Sequence, residues 1–163
     1  METTYLSTEF GTFQLTAGPL GLKTVRLWEK AVPDQKMEPA NEFLRTARRQ
    51  LKEYFRGERQ TFDVKMDWSE ATDFYRNVWQ KLTEIPYGRT TSYQFIAERL
   101  GDKNAIRAVG QANGRNPIAI IVPCHRVIAK NGDLQGYFYG LDFKRKLLAL
   151  ENPESFAEQG SLF

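Results

Sequence analysis

Alternating apolar and polar positions at the start of the chain predict three short β-strands. They cover residues 3–8, 11–17 and 22–29, and glycine or proline residues stand between them. Short runs with a period of two, bounded by turn residues, are typical of half-buried strands joined in an antiparallel meander. We therefore expect the chain to begin with a small antiparallel sheet.

A helical pattern follows these strands. Apolar residues recur at intervals of three and four over residues 44–55 and so share one face of a helix, which Asn41 can cap and Gly57 can end. The strand-like stretch 61–66 is then expected to rejoin the sheet. The first half is predicted to be a sheet with one helix packed on it.

The second half of the chain has helical periods. Apolar residues share one face over residues 74–85, until Pro86 breaks the pattern. Thr91 and Gln94 fit a capping box for a helix that ends near residue 101, and Asp102 can cap another helix that runs to about residue 113. Two short helices joined by a glycine-containing turn have the outline of a helix-turn-helix.

The last of these helices is rich in small residues. Ala105, Ala108 and Gly110 lie along it, and Arg107 projects from it. Glycine inside a helix costs about 1 kcal/mol relative to alanine, so a neighbour is expected to need the space. Close packing on the protein core and close approach to a DNA groove explain the pattern equally well.

The composition is that of a globular protein. Of 163 residues, 41% are hydrophobic and 26% are charged, and the longest apolar run, residues 118–122, is far shorter than the roughly 20 residues of a membrane span. The first residues lack the basic and apolar regions of a secretory signal. One cysteine forms no internal disulfide, which fits a reducing cytoplasm, and one cysteine with one histidine is too little for a zinc site. We expect a cytoplasmic protein with no metal and no cofactor.

Positive charge is concentrated in the second half. The net charge is +3, but residues 85–146 carry ten lysines and arginines against four acidic residues. A basic segment of this kind attracts phosphate, although an ordinary solvated surface explains such a bias equally often. The charge alone therefore favours a nucleic-acid partner without establishing one.

The single cysteine and the single histidine are neighbours. Cys124 and His125 follow the apolar run 118–122, which is predicted to be a buried strand, and Arg126 comes next. A lone buried cysteine is commonly an inert small hydrophobe, whereas an imidazole base and a nearby cation both favour the reactive thiolate. Adjacent side chains on a strand point to opposite faces, so coupling needs a bridging water or a turn, such as Pro123 can make. The residues favour a reactive thiol beside a DNA-binding fold, with an inert cysteine as the alternative.

The segment Pro123-Cys124-His125-Arg126-Val127-Ile128 resembles the active-site signature of the O6-alkylguanine-DNA alkyltransferases, or methylated-DNA–protein-cysteine methyltransferases. The similarity is strong over residues 72–151 and weaker before them. Further motifs that match the family lie at residues 51–57, 85–88, 91–93, 107–110, 112–117, 136–137 and in a closing helix over 144–151.

The resemblance implies an α/β fold of two domains. Residues 1–67 would form a ribonuclease H-like domain, a small antiparallel sheet with a helix. Residues 68–163 would form a mostly helical domain that contains the helix-turn-helix, binds DNA and carries the alkyl acceptor.

The resemblance also implies a single-use DNA repair reaction. Cys124 would accept the alkyl group of a flipped-out O6-alkylguanine, His125 would act as a base through a water, and Glu151 would orient His125. Tyr93 would help to turn the nucleotide outward and would protonate the leaving purine. The implied partner is double-stranded DNA that carries O6-alkylguanine, with O4-alkylthymine as a second lesion, bound by a protein that is a monomer in solution.

Two further sets of positions carry over from the family. Arg107 would fill the gap left in the base stack, and Asn116 would hold the turn after the small-residue helix. Backbone groups of Val127 and Phe138 would bond the flipped base. The implied DNA-binding set is Arg107, Ala105, Ala108, Gly110, Tyr93 and Arg115. The implied pocket set is Asn116, Pro117, Val127, Tyr137, Phe138 and Tyr139.

The chain departs from the family pattern in the pocket. Phe138 and Tyr139 stand where the family usually has small residues, and Ile106 replaces a common alanine in the small-residue helix. The two rings are expected to form a steric gate against large alkyl groups. The alternative is an apolar wall on which flat substituents such as benzyl stack.

Three other classes of protein share parts of this pattern. Alkyltransferase-like proteins bind the same lesions but lack the acceptor cysteine, which is present here as Cys124. A helix-turn-helix transcription regulator needs no Cys-His pair, and a thiol hydrolase needs an acyl pocket and repeated turnover. The alkyl-transfer interpretation therefore fits the residues best.

Overall fold

The meander at the start of the chain is present in the computed structural model, which describes residues 1–33, 38–129, 137 and 139–156. Strands β1 (Glu2–Thr8), β2 (Gly11–Gly18) and β3 (Gly21–Leu27) are antiparallel neighbours in that order. Alternate side chains point to one face of the sheet, and on that face Leu6 and Phe13 are buried. The three predicted strands are confirmed.

The predicted first helix is also confirmed. Helix α1 (Glu42–Phe55) begins after Asn41, whose side-chain oxygen accepts hydrogen bonds from the backbone N–H groups of Phe43 at 2.8 Å and Leu44 at 3.2 Å. A polar side chain at this position satisfies amides that have no partner within the helix. The apolar face is buried, as the periodicity indicated.

The predicted strand over residues 61–66 is wrong, because the segment forms one bridge and no strand. Met66 pairs in parallel with Leu22 through backbone hydrogen bonds from Leu22 N–H to Lys65 and from Asp67 N–H to Leu22, each 2.8 Å. Gly21 allows this approach, since a Cβ placed there would lie 2.8 Å from the Lys65 carbonyl oxygen.

Residues 118–122 are buried as predicted, but they do not form a strand. The Val25 N–H donates to the Pro117 carbonyl at 3.0 Å, and the Ala119 N–H donates to the Val25 carbonyl at 3.1 Å. Ile120 then takes a positive φ of 72°, a left-handed conformation that interrupts extended structure. The apolar run therefore marks burial correctly and conformation wrongly.

The chain divides into two compact units. The first comprises Met1–Ser69 together with Pro117–Ala119, and the second comprises Glu70–Asn116 and the described residues from Ile120 onward. The second unit contains α2 (Asp73–Thr83), α3 (Tyr93–Arg99), α4 (Ile106–Gly114), α5 (Leu141–Glu151) and α6 (Pro153–Phe156). It also contains the 3-10 turn Cys124–Arg126 and a two-stranded parallel sheet of β4 (Thr91–Ser92) and β5 (Val127–Ile128).

Both predicted caps of the helix-turn-helix are wrong, although its two helices are present. Thr91 belongs to β4, and Ser92 caps α3 by accepting the Phe95 N–H at 3.0 Å. The Gln94 side chain donates to Glu98 rather than back to residue 91. Asp102 bonds the Asn104 amide within the turn, so α4 begins only at Ile106 and has no side-chain cap.

The closing helix is longer than predicted. It begins at Leu141 rather than at residue 144, directly after Gly140, whose φ is 96°. Among the helices of the described ranges, none is long and apolar enough to cross a membrane.

Candidate active site

Cys124 opens a tight turn at the end of the buried apolar segment. The turn Cys124–Arg126 is a single 3-10 turn, in which the Arg126 N–H donates to the Pro123 carbonyl at 3.0 Å. The Cys124 N–H donates to Val122 at 2.8 Å, and Cys124 is 5% exposed. Successive side chains in such a turn are not held on opposite faces as they are in a strand.

His125 meets a carboxylate from the far end of the second unit. Its Nε2 lies 2.7 Å from Oε2 of Glu151, the last residue of α5, and neither side chain is exposed. Arg126 holds the same carboxylate with two hydrogen bonds, from Nε at 2.8 Å and from Nη2 at 3.0 Å. A third bond runs from Nη1 of Arg126 to the Ile85 carbonyl at 2.7 Å. The carboxylate is thus fixed from two sides.

The electrostatics of this group leave His125 neutral. Burial lowers the pKa of His125, although the neighbouring Glu151 acts to raise it. Burial alone would raise the pKa of Glu151, but His125 and Arg126 outweigh it and lower that pKa to about 2. A neutral imidazole that donates from Nε2 to the carboxylate keeps a lone pair on Nδ1.

Among the described residues, none donates a hydrogen bond to that lone pair. Nδ1 of His125 and the hydroxyl of Tyr137 are both buried, and neither makes a hydrogen bond to another described residue. Buried polar atoms of this kind usually meet water or a ligand. With its accepting nitrogen available, His125 can act chemically as a general base.

The thiol itself is held by several groups. Burial raises the pKa of the Cys124 thiol, while a hydrogen bond from the Asn116 side chain and the charge of Lys144 lower it. Among the described cations, Lys144 is the one whose charge acts to lower the pKa of this thiol. The expectation that Arg126 would supply this charge is wrong, because its guanidinium is bound to Glu151 and to the Ile85 carbonyl.

Sequence reasoning missed Lys144 and the Arg126–Glu151 contact. The sequence does contain one signal for Lys144. It shares a helical face with Leu147, Leu148 and Glu151, all of which are buried, so a buried lysine follows once that face is assigned to the core. The Arg126 contact joins residues 25 positions apart and has no local signal.

Tyr93 and Gly110 lie next to each other. Tyr93 is the first residue of α3, and its pKa is raised by burial and by Cys124. A Cβ placed on Gly110 would lie 3.9 Å from the Tyr93 ring, which is an ordinary contact distance. An alanine would therefore fit, and packing within the described structure does not explain the glycine.

The other DNA-binding candidates lie on or beside α4. Arg107, Ala108 and Arg115 are exposed, and Ala105 is half-buried. The opposite face of α4 is anchored, because the Trp79 indole N–H donates to the Ala112 carbonyl at 2.9 Å. The exposed residues of α4 are thus Ile106, Arg107, Ala108 and Gln111, and Gly110 is half-buried.

The residues predicted for the pocket do not all lie in one part of the structure. Asn116 donates from Nδ2 to the Val122 carbonyl at 2.8 Å, which closes the loop before the turn. The Val127 N–H donates to the Cys124 carbonyl. Pro117 belongs to the first unit, and Phe138 lies outside the described residues.

The two tyrosines proposed for the pocket form an aromatic cluster with Phe143. The rings of Tyr137 and Phe143 stack with centroids 6.3 Å apart, and Tyr137 is buried. Tyr139 stands edge-on to both, at 5.7 Å from Tyr137 and 6.3 Å from Phe143. Whether Tyr139 acts as a gate stays a prediction.

Two family models match the chain, one for each half. The 6-O-methylguanine DNA methyltransferase ribonuclease-like domain matches residues 1–68. The 6-O-methylguanine DNA methyltransferase DNA binding domain matches residues 73–153. These matches agree with the predicted sheet-and-helix first half and helical second half.

Individual relatives are similar over almost the whole chain. A methylated-DNA–protein-cysteine methyltransferase of Methanosarcina acetivorans is 50% identical, over 87% of this chain and 97% of the relative. The crystal structure of the Mycobacterium tuberculosis O6-methylguanine methyltransferase is 41% identical and matches with a TM-score of 0.81 over 96% of each chain. A second structure of that M. tuberculosis protein, in complex with DNA, is 42% identical and matches with a TM-score of 0.81 over 94% of each chain.

Proposed function

The chain belongs to the O6-methylguanine DNA methyltransferase family, and we propose that it repairs DNA by transferring the alkyl group of an O6-alkylguanine to its own Cys124. The observation that carries this proposal is the arrangement of the turn. A thiol stands directly before a neutral, buried histidine whose Nε2 is held by Glu151 at 2.7 Å and whose Nδ1 is available. Such an arrangement can deprotonate a thiol that burial would otherwise keep protonated.

The transfer is a displacement at the alkyl carbon. His125 accepts the thiol proton through a water, and the resulting thiolate forms the S–C bond. The electron pair of the breaking C–O6 bond passes to the guanine, which takes a proton from the Tyr93 hydroxyl. The proton that His125 took from Cys124 then passes to the Tyr93 oxygen. Tyr93 and His125 are thereby both neutral again, and the products are guanine and a neutral thioether.

The reaction occurs once per protein molecule. A thioether has no good leaving group, and neither water nor an amino-acid side chain cleaves it readily. The chain has a single cysteine, so no second thiol is available to take the alkyl group from Cys124. Repair is therefore stoichiometric.

The base must leave the duplex before it reaches the thiol. Extruding a nucleotide costs a few kcal/mol, and a protein that binds the minor groove can offset part of this cost by filling the gap in the stack. Ala108 is exposed and Gly110 half-buried on α4, so the backbone of this helix can approach a groove closely, and the exposed Arg107 has the length to enter the stack. Arg115 and the other cations of the second half bind phosphate without sequence preference.

The proposal extends to the finer properties expected from the sequence. O4-alkylthymine is a second substrate, because its alkyl group is also bound to an exocyclic oxygen next to a ring nitrogen. The protein acts as a monomer, since one chain supplies the thiol, the base and the groove-binding helix. It acts in the cytoplasm, where a free thiol stays reduced, and it uses no cofactor.

Mass spectrometry of the intact protein after incubation with duplex DNA carrying O6-methylguanine tests the proposal. We expect the protein to gain one methyl group, located on the Cys124 peptide. The matched control is Cys124→Ser, which should bind the same DNA and gain nothing, because a serine hydroxyl is a far weaker nucleophile. DNA binding by the wild type without methyl transfer would instead indicate a lesion-binding protein.

A further inference from the structure

A groove of about 510 Å³ lies on the surface of the second unit. It is formed by the last turn of α2, the loop that follows, β4 and one side of α3. Its size falls within the roughly 300–1,000 Å³ that is typical of binding pockets. Among the described residues that line it, none belongs to the predicted DNA-binding set or to the turn Cys124–Arg126. The proposed alkyl transfer therefore leaves this groove unused.

The floor of the groove is apolar. Ile85 and Ile96 line it and are buried, and the exposed Pro86 lies beside them. Phe95 of α3 also lines the groove and is 50% exposed, more than any other aromatic side chain of the described residues. Exposing a phenyl ring to water is unfavourable, and apolar surface with a polar rim is typical of an interaction site. The apolar part of the groove is therefore suited to an apolar side chain of a partner.

The rim of the groove is positively charged. Three cations and one acidic residue line it, which gives a net charge of +2. Lys81 and Glu84 lie 3.7 Å apart and neutralise each other, so the net charge belongs to Arg89 and Arg99, which are both exposed. The Arg99 guanidinium also lies over the Phe95 ring, 6.0 Å from its centre. Positive charge next to an apolar floor is complementary to carboxylates that flank an apolar side chain.

We propose that this groove is a docking site for an acidic peptide segment of a partner protein. An apolar side chain of the segment packs on Ile85, Ile96 and Phe95. Its carboxylates meet Arg89 and Arg99, so these two arginines are assigned to a protein partner instead of to DNA phosphate. The inference is independent of alkyl transfer, because no residue of the groove takes part in the proposed reaction.

The contacts favour a peptide over a nucleic acid. Single-stranded nucleic acids bind by stacking bases on aromatic rings. In this groove the Arg99 guanidinium already lies over the Phe95 ring, and the floor is made of the aliphatic residues Ile85, Pro86 and Ile96. Aliphatic side chains pack well against an aliphatic or aromatic side chain of a peptide.

The groove is held in place by the segments around the acceptor turn. The Ile85 carbonyl accepts a hydrogen bond from Nη1 of Arg126 at 2.7 Å. Thr91, which also lines the groove, pairs with Val127 in the sheet of β4 and β5. The backbone of the groove is therefore fixed before a segment binds, which lowers the entropy that binding costs.

The first test measures the binding of synthetic peptides to the full-length protein by fluorescence anisotropy. The probe is a fluorescein-labelled peptide with aspartates on both sides of one phenylalanine. We expect it to bind, and to bind more weakly as salt is added. Two matched peptides, one with serine in place of phenylalanine and one with lysines in place of the aspartates, should bind at least about tenfold more weakly. No binding of the acidic peptide at millimolar concentration, or equal binding of all three, would overturn the proposal.

Substitutions locate the binding on the protein. Phe95→Ser and Arg89→Glu should each weaken binding of the acidic peptide by about tenfold, since one removes the apolar contact and the other reverses a rim charge. Phe74→Ser removes another exposed phenyl ring of the second unit, and Arg49→Glu makes the same charge change at an exposed position in α1. Both are matched controls and should bind as the wild type does. Equal weakening by Phe95→Ser and Phe74→Ser would contradict the assignment to this groove.

The second test uses the wild-type protein, so it does not depend on how a variant folds. Protein labelled with 13C in the isoleucine methyl groups is titrated with the acidic peptide and followed by NMR. The signals of Ile85 and Ile96 should shift, whereas that of Ile118, which is buried in the first unit, should not. Unchanged Ile85 and Ile96 signals would overturn the proposal. So would an undamaged single-stranded oligonucleotide that shifts these two signals and displaces the peptide, because the groove would then be a nucleic-acid surface. Neither test involves alkylated DNA, so a failed methyl transfer and a failed docking site give different results.

Discussion

The side chains of His125 and Glu151 are in contact at 2.7 Å, although the two residues are 26 positions apart in the chain. One lies in the 3-10 turn, and the other ends α5. The imidazole is therefore oriented only when the closing helix is packed against the turn. Arg126 contacts the same carboxylate, so a single acidic group both orients His125 and is the counter-ion of the buried Arg126.

Glu151→Gln should reduce both repair and stability. The neutral amide of glutamine is a weaker acceptor than the carboxylate for the N–H of His125. The buried Arg126 also loses its counter-ion. We expect methyl transfer to slow by roughly 100-fold, as for loss of general base catalysis, and unfolding free energy to fall by roughly 3–5 kcal/mol. Single-turnover kinetics and urea unfolding measure the two effects. Glu154→Gln, at an exposed position in α6, is the matched control and should behave as the wild type.

The stability of the protein should fall as the pH is lowered. The folded pKa of Glu151, about 2, lies below its unfolded value of 4.5, so its contribution is present above pH 4.5 and is lost as the pH falls toward 2. This amounts to about 3 kcal/mol. The pKa of buried His125 is also lowered, from 6.5, so its protonation acts in the same direction at a higher pH. Urea unfolding between pH 7 and pH 3 should show a loss of unfolding free energy from protonation of His125 and, at lower pH, a further loss from protonation of Glu151. The Glu151→Gln variant should lack the loss at lower pH.

Arg107→Ala should slow repair of duplex DNA more than reaction with free O6-alkylguanine, which has no base stack to leave. Arg115→Ala is the comparison, because Arg115 is also exposed but lies just after α4. We expect it to weaken binding to any duplex and to reduce the salt dependence of binding by about one counter-ion. Equal slowing of both substrates by Arg107→Ala would indicate a structural role.

Gly110→Ala should make the protein more stable and less active on DNA. The added Cβ meets only the Tyr93 ring at an ordinary distance, and alanine in a helix interior is favoured over glycine by about 1 kcal/mol. If α4 enters a groove, the same methyl group stands between the helix and the DNA. Thermal unfolding and duplex affinity measured together test this, with Gly114→Ala in the last position of α4 as the control. A stabilised variant with unchanged affinity would mean that this face does not approach DNA.

Tyr139→Gly should widen the range of alkyl groups that the protein accepts. Tyr139 packs edge-on against Tyr137 and Phe143, and removing its ring opens that cluster. If Tyr139 acts as a gate, the variant protein should react faster than the wild type with bulky O6-alkylguanines. Its rate of methyl transfer should stay nearly constant. Tyr139→Phe keeps the ring and should retain the wild-type preference. Selective loss of benzyl transfer in Tyr139→Gly would show that the ring contacts the substrate instead.

The elements that could be predicted from the sequence are those fixed by local patterns. The period-two strands and the cap at Asn41 each depend on residues close together in the chain, and their predicted bounds agree with the structure to within two residues. The predicted caps of α3 and α4 are wrong because several adjacent residues could serve as caps. Thr91 is used in β4, a pairing with Val127 that no local pattern reveals.

The candidate site was predictable where the family motif covers it and not elsewhere. The family resemblance predicts Cys124, His125 and Glu151, and the structure places His125, the neighbour of Cys124 in the turn, against Glu151. The contacts of Arg126 and Lys144 depend on how α5 packs against the turn, and no local sequence pattern predicts that packing. The apolar run over residues 118–122 predicts burial correctly, whereas the left-handed backbone at Ile120 follows from its tertiary surroundings and has no local signal.

The pairing of Val25 with residues 117–119 has a consequence for folding. Ile118 returns to β3 across more than ninety residues, and a contact this far apart in the chain closes slowly. A fragment that starts at Glu70 would contain the whole turn around Cys124, yet the Ala119 N–H and the Pro117 carbonyl would lose their bonds to Val25. Ile118, which is buried in the full chain, would lose the strand beside it, and exposing an apolar side chain to water is unfavourable. We therefore expect the helical half to fold poorly when expressed alone, and the cysteine to become competent only after the N-terminal sheet has formed.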